Sequence, residues 1–106
     1  MYKQYVIGAI MITFEWDTKK NEINKKKHQI TFDEAESVFN DENGIVIDDP
    51  EHSIDEDRFV IIGFSNRLKI LTVCHCYRDS DEVIRIISAR KATKKESQQY
   101  YQQEMR

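Results

Sequence analysis

Three apolar runs follow one another between Arg58 and Ser88, joined by connections too short to hold a helix. They are RFVIIGF (58–64), LKILTVCHCY (68–77) and EVIRIIS (82–88), separated by Ser65-Asn66-Arg67 and by the turn from Arg78 to Asp81. β-branched and aromatic residues dominate all three, so each reads as a strand. Strands this close in sequence pair antiparallel, because a parallel return needs a long crossover. A shorter strand, GIVID (44–48), comes before them, and Asp49-Pro50 turns the chain away from it.

Upstream, ITFEW alternates, with Ile12, Phe14 and Trp16 on one side and Thr13 and Glu15 on the other, which predicts a half-buried strand. Trp16 reads as core rather than as a platform for a base. Residues 18–28, TKKNEINKKKH, predict a polar helix with Ile23 as its main anchor. Thr31 and Glu34 form a T-x-x-E capping box, and Phe32, Ala35, Val38 and Phe39 then line one helical face. A second T-x-x-E, Thr93 to Glu96, opens a last helix from about Ala92 to Gln103, whose large apolar side chains are few. The expected architecture is α+β: a small antiparallel sheet with two N-terminal helices and one C-terminal helix, the helices on one face.

The chain of 106 residues suits one domain with one modest core. Three glycines, one proline and no repeat leave no internal boundary. The run YVIGAIMI (5–12) is too short to span a bilayer and has the wrong flanks for a signal peptide. Cys74 and Cys76 are too few for a secreted disulfide framework, which points to reduced thiols in a cytoplasm. Both face one side of a strand with His75 on the other, and two ligands do not make a zinc site, so no metal and no cofactor is expected.

Charge is unevenly spread. Residues 33–57 hold eleven acids and no Lys or Arg, whereas Ile84 to Glu96 carries Arg85, Arg90, Lys91, Lys94 and Lys95 with no acid before Glu96. Cations gathered at a strand end and a helix start suit a phosphate. The acidic run suits a basic partner, unless the two signs simply neutralise each other on a solvated surface.

Several motifs occur in one order: FEWD (14–17), Asn24 with Lys27 and His28, TFDEAESVF (31–39), Asp49 through His52-Ser53 and Glu56 to Arg58, Ile62-Gly63, and IRIISARKAT-x-x-E (84–96). In this they resemble the BrnT family of type II toxins, over about residues 12–100. The resemblance implies a RelE-like fold and a metal-independent endoribonuclease that cleaves mRNA and inhibits translation. It implies neutralisation by a BrnA-like antitoxin, in a hetero-oligomer that meets operator DNA only through the antitoxin. Family members start just before the F-E-W-D motif, so residues 1–11 read as an extension, or Met11 as the true start, with 12–106 as the toxin domain.

Cleavage without a metal needs a base for the 2′-OH, cations for the phosphorane and an acid for the leaving oxygen. The candidate catalytic residues are Glu56, Arg58, Arg85, Arg90 and His52. Arg85 lies among apolar strand residues and must reach a cleft or pair with an acid on a neighbouring strand. Arg90 is expected just past the strand end, to hold phosphate or to make a surface ion pair; a guanidinium fork suits two phosphate oxygens. Glu56 is the candidate base and Arg58 a second phosphate contact, unless Ser53 and Glu56 merely cap a turn. Histidine titrates near neutral pH, so His52 is a candidate proton shuttle. Lys27, His28, Lys91, Lys94 and Lys95 are candidates for RNA binding. Lys25 to His28 would also simply suit a helix C-terminus. Thr93 and Glu96 read as caps with no part in chemistry.

Two other functions fit the same residues. One is a catalytically inactive RelE-fold module that binds RNA or regulates. The other is a small DNA-binding or protein-interaction domain, although no helix-turn-helix signature supports it. The acidic run and the Tyr100–Met105 end are the candidate antitoxin surfaces.

Overall fold

A computed structural model of the chain describes residues 2–7, 10–49, 56–80 and 82–104, with side chains from Ile12 to Gln103. Pro50, His52, Ser53, Asp55, Asp81 and Met105, on which expectations fell, lie outside the described residues, as does the side chain of Met11.

The elements run β1 (Tyr2–Ile7), β2 (Ile10–Glu15), α1 (Thr18–His28), α2 (Phe32–Ser37), a 3-10 turn (Val38–Asn40), β3 (Ile45–Asp48), β4 (Phe59–Phe64), β5 (Ile70–Arg78), β6 (Val83–Lys91) and α3 (Lys94–Glu104). They form an α+β fold with a six-stranded sheet in the order β1-β2-β6-β5-β4-β3. The three apolar runs are β4, β5 and β6, and neighbours among them pair antiparallel as expected. One pairing departs from the expectation. β2 lies parallel to β6, with Thr13, Phe14 and Glu15 opposite Val83, Ile84 and Arg85. Short connections dictate antiparallel pairing only between successive strands, and most of the chain lies between these two.

Alternation assigns the faces. Phe14, Ile61, Leu71, Val73, Ile84, Ile86 and Ala89 point to one side, where Trp16, Ile30, Phe32, Ala35 and Val38 cover them as the core. Trp16 is core, its ring edge-on to Phe32 with centroids 6.1 Å apart. His75 also points inward and is fully buried. Its Nδ1 lies 3.2 Å from the Val73 carbonyl and its Nε2 lies 3.4 Å from the Tyr77 hydroxyl. A carbonyl only accepts, so Nδ1 carries the proton and Nε2 accepts from Tyr77. Burial lowers the His75 pKa and keeps the ring neutral.

α3 reaches the sheet from the other side, contrary to the expectation of all helices on one face. Gly63 faces the 3-10 turn, so its neighbours Ile62 and Phe64 face away from it. Phe64 meets Tyr100 of α3 at 5.4 Å between ring centroids. The helix with few apolar side chains is nonetheless anchored. Tyr100 is 1% exposed, and its hydroxyl donates to Asp41 Oδ2 at 2.6 Å. Burial disfavours the Asp41 charge, but Tyr100 and the amides of Phe64 and Asn43 outweigh it and hold the carboxyl below its usual range.

α1 docks differently from the sequence expectation. Ile23 is 63% exposed, whereas Asn24 is 6% exposed. The Asn24 amide donates to the carbonyls of Ile30 (2.9 Å) and Ala89 (2.8 Å), and its oxygen accepts from the Ala89 amide (3.1 Å). The described β2–β6 register ends at Glu15 opposite Arg85, so Ala89 lies beyond it. Asn24 satisfies both backbone groups there as a strand would. A helix without an apolar face is thus anchored by carboxamides: Asn24, and Asn21, whose oxygen accepts from the Phe32 amide at 2.8 Å.

Candidate active site

The sheet face away from α1 and α2 carries the polar residues. Alternation places Glu15 of β2, Arg78 of β5, Arg85 and Arg90 of β6, and Arg58 just before β4 there. Among the described residues, ion pairs link Arg85, Glu15, Arg78, Glu56 and Arg58 in a chain across it. Arg85 Nη1 lies 3.0 Å from Glu15 Oε1, and Arg78 Nε lies 3.6 Å from the same oxygen. Arg78 Nη2 then meets Glu56 Oε2 at 3.2 Å, and Arg58 Nε lies 3.8 Å from Glu56 Oε1. Half-exposed pairs of this kind contribute about 0–1 kcal/mol each, so their effect is to orient side chains rather than to stabilise.

Arg90 is the best-held cation. It lies inside β6, which continues to Lys91, rather than past the strand end as expected. Its Nη1 donates to Glu96 Oε1 at 2.7 Å and its Nη2 to Glu96 Oε2 at 3.1 Å. Glu96 also accepts from the Thr93 amide (2.8 Å) and the Thr72 hydroxyl (3.0 Å). The expected capping box is complete, since the Glu96 amide donates back to Thr93 Oγ1 at 3.2 Å. In the first box, by contrast, Glu34 turns away and accepts from Ser65. Burial disfavours the Glu96 charge, but Arg90, Thr93 and Thr72 together outweigh it and hold the carboxyl down to about 2. A carboxyl depressed in the fold stabilises above its unfolded pKa, and that contribution fades as pH falls through the folded value. Stability is therefore expected to drop between about pH 5 and pH 2, and a Glu96→Gln protein should lose part of that dependence in acid denaturation followed by circular dichroism.

Arg58 and Arg90 line a cavity of about 170 Å3 together with Asp49, Val60, Thr72, Cys74, Ile87 and Ser88. Small-molecule sites usually span roughly 300–1,000 Å3, so this one suits a single phosphate rather than a nucleotide. Its shape depends on a bulge. Cys74 pairs with Ser88 and His75 with Ile86, which leaves Ile87 extra in β6 and kinks the strand into the cavity. Burial and the nearby Asp49 push the Cys74 thiol up to about 11, so it is a neutral wall and no nucleophile at pH 7.

Ile87 and Ser88 also line a second hollow of about 180 Å3, with Lys20, Asn24, Lys27 and His28. Lys27 and His28 therefore lie beside the arginine cavity, across the bulge. Lys20 joins them, a residue the sequence did not single out. Lys94 and Lys95 are exposed in the first turn of α3. Cations there oppose the helix dipole, so helix stability does not account for them. Lys91 is exposed at the end of β6, and its partner Leu71 is a core residue, so Lys91 lies on the opposite face of the sheet from Arg90.

The sequence-predicted residues thus fall into groups. Arg58 and Arg90 share a cavity; Lys27 and His28 border it; Arg85 is paired with Glu15 at the far end of the ion-pair chain. Glu56 sits between Arg58 and Arg78. It also lines, with Asp57, Phe59 and Tyr77, a larger hollow of about 570 Å3. That hollow includes neither Arg58 nor Arg90, so the arginine cavity is the better phosphate site despite its smaller size. Asp49, Thr72 and Ser88 line the arginine cavity without having been singled out as site residues. Among the described residues no group of three or more His, Cys, Asp and Glu is placed to hold a metal ion, and no helix is long and apolar enough to cross a membrane.

Fold and site together define a small α+β domain with a guanidinium-lined, phosphate-sized cavity. The chain belongs to the family described as the ribonuclease toxin, BrnT, of type II toxin–antitoxin systems, whose model matches residues 16–96. It is also similar to the crystal structure of the Brucella abortus ribonuclease toxin, BrnT, at 26% sequence identity and a TM-score of 0.58, over 76% of this chain and 96% of that one. No curated protein sequence matches the chain.

Proposed function

We propose that this toxin is a metal-independent endoribonuclease that cuts mRNA and so inhibits translation. The observation that supports it best is the cavity lined by Arg58 and Arg90, bordered across the Ile87 bulge by Lys20, Lys27 and His28. Arg58 and Arg90 hold the non-bridging oxygens of one phosphate, whose negative charge grows as the phosphorane forms. Glu56, beside Arg58, takes the proton of the 2′-OH as the O2′–P bond forms and the P–O5′ bond breaks. The proton for the leaving 5′-oxygen falls to His52. Lys27 and His28 hold neighbouring phosphates, while Lys91, Lys94 and Lys95 with Arg85 attract the strand. The 2′-OH nucleophile restricts the substrate to RNA.

Membership of a type II toxin family implies an antitoxin. We take it to be a BrnA-like protein, steered by the acidic run and seated against β3 and the exposed Tyr101. β3 is a sheet edge with Val46 and Ile47 exposed.

The test is incubation of the purified chain with mRNA in EDTA. Fragments ending in 2′,3′-cyclic phosphate are expected, as is growth arrest on induction that co-expression of the partner relieves. No cleavage, or cleavage only with added metal, would sink the reading.

A further inference from the structure

We propose that Glu96 is a positioning residue for RNA cleavage, holding the Arg90 guanidinium over the phosphate cavity. This rests on the ribonuclease reading of that cavity and deepens it. A capping glutamate needs only the first turn of its helix, and glutamine serves there almost as well. Glu96 does more. Both its oxygens grip Arg90 as a fork, at 2.7 and 3.1 Å. The carboxylate is itself fixed by Thr72, a buried residue that stands directly across the sheet from Arg90. β5, β6 and α3 therefore meet at one side chain.

An arginine side chain is long and half exposed here, and without a partner it samples many rotamers. The fork fixes its plane. Two of its five N–H groups are spent on Glu96 and one reaches the Lys91 carbonyl at 3.3 Å, which leaves two for a phosphate. Because Glu96 also cancels the charge of Arg90, its benefit is orientation, not attraction. Loss of Glu96 therefore acts on kcat rather than on KM.

The test is a cycle of Glu96→Gln, Arg90→Ala and the double variant, assayed for RNA cleavage by the full chain. Glu96→Gln keeps the shape and the cap but loses the charged fork. It is expected to lower kcat about 10- to 100-fold, with KM nearly unchanged and with native circular dichroism. In the Arg90→Ala background the same change should cost nothing further, because there is no guanidinium left to position. Thr72→Val, which spares the carboxylate and the cap, should lower kcat roughly threefold, and it carries the test if Glu96→Gln does not fold. Wild-type kcat in Glu96→Gln, or an equal loss in both backgrounds, overturns the proposal and leaves the ribonuclease reading intact. A wild-type chain that does not cut RNA overturns both.

Discussion

An Arg90→Ala protein is expected to cleave RNA about 100- to 1,000-fold more slowly than the wild type, the usual cost of removing one donor from a developing oxyanion. Arg58→Ala should cost a comparable factor, since the two guanidinium groups share one cavity. The contrast lies with Lys94→Ala and Lys95→Ala. These ammonium groups are exposed and outside the cavity lining, so their loss should slow cleavage only a few-fold. That loss should shrink further as salt is raised, because exposed charges are screened over about 10 Å at 0.1 M. Rates on one RNA, measured at low and high ionic strength, separate the groups. If Lys94→Ala cost as much as Arg90→Ala at high salt, the cavity would not be where the phosphate is held.

The second large effect is on stability. Asn24→Ala removes three buried hydrogen bonds and leaves both backbone groups of Ala89 and the Ile30 carbonyl without their partner. Three buried polar groups stranded at about 1–3 kcal/mol each give a total of about 3–9 kcal/mol, and its lower part, about 3–5 kcal/mol, already lowers Tm by about 15–25 °C for a domain this size. Ile23→Ala, one position earlier on the helix, should cost less than about 0.5 kcal/mol because its side chain is largely exposed. Thermal melts of the two variants check this directly, and equal Tm values would refute the role of Asn24. Since α1 carries Lys20, Lys27 and His28 to the edge of the cavity, the unstable variant should also bind RNA more weakly below its melting point.

These residues show what the sequence could reveal. Short connections and β-branched runs made β4, β5 and β6 legible, because strand formation and antiparallel pairing depend on neighbours in sequence. The β2–β6 pair was not legible, because nothing local links Thr13 to Val83. Asn24 was hidden for the same reason, although a clue existed. α1 has one apolar residue in eleven, so any firm docking had to be polar. Arg90 and Glu96 were both noticed, but separately, as a phosphate contact and as a helix cap. Their fork depends on β6 running through to Lys91 and on Thr72 standing across from it. The bulge at Ile87, which shapes the cavity, has no glycine to signal it. Glu56 and Arg58 are legible as near neighbours in sequence, and they lie 3.8 Å apart, but both precede β4, and Arg78, the third member, comes from β5.

The parallel pairing of β2 with β6 bears on synthesis. A ribosome releases β2 and α1 early, yet their partners, Arg85 for Glu15 and Ala89 for Asn24, lie 70 and 65 residues further on. Contacts so distant along the chain make folding slow compared with a helical domain. They also fix its order: β2 cannot pair with β6, and Glu96 cannot clasp Arg90, until β6 and the start of α3 have been translated. A nascent chain thus holds neither the β2–β6 pair nor the Arg90–Glu96 clasp until β6 and the first turn of α3 have left the ribosome.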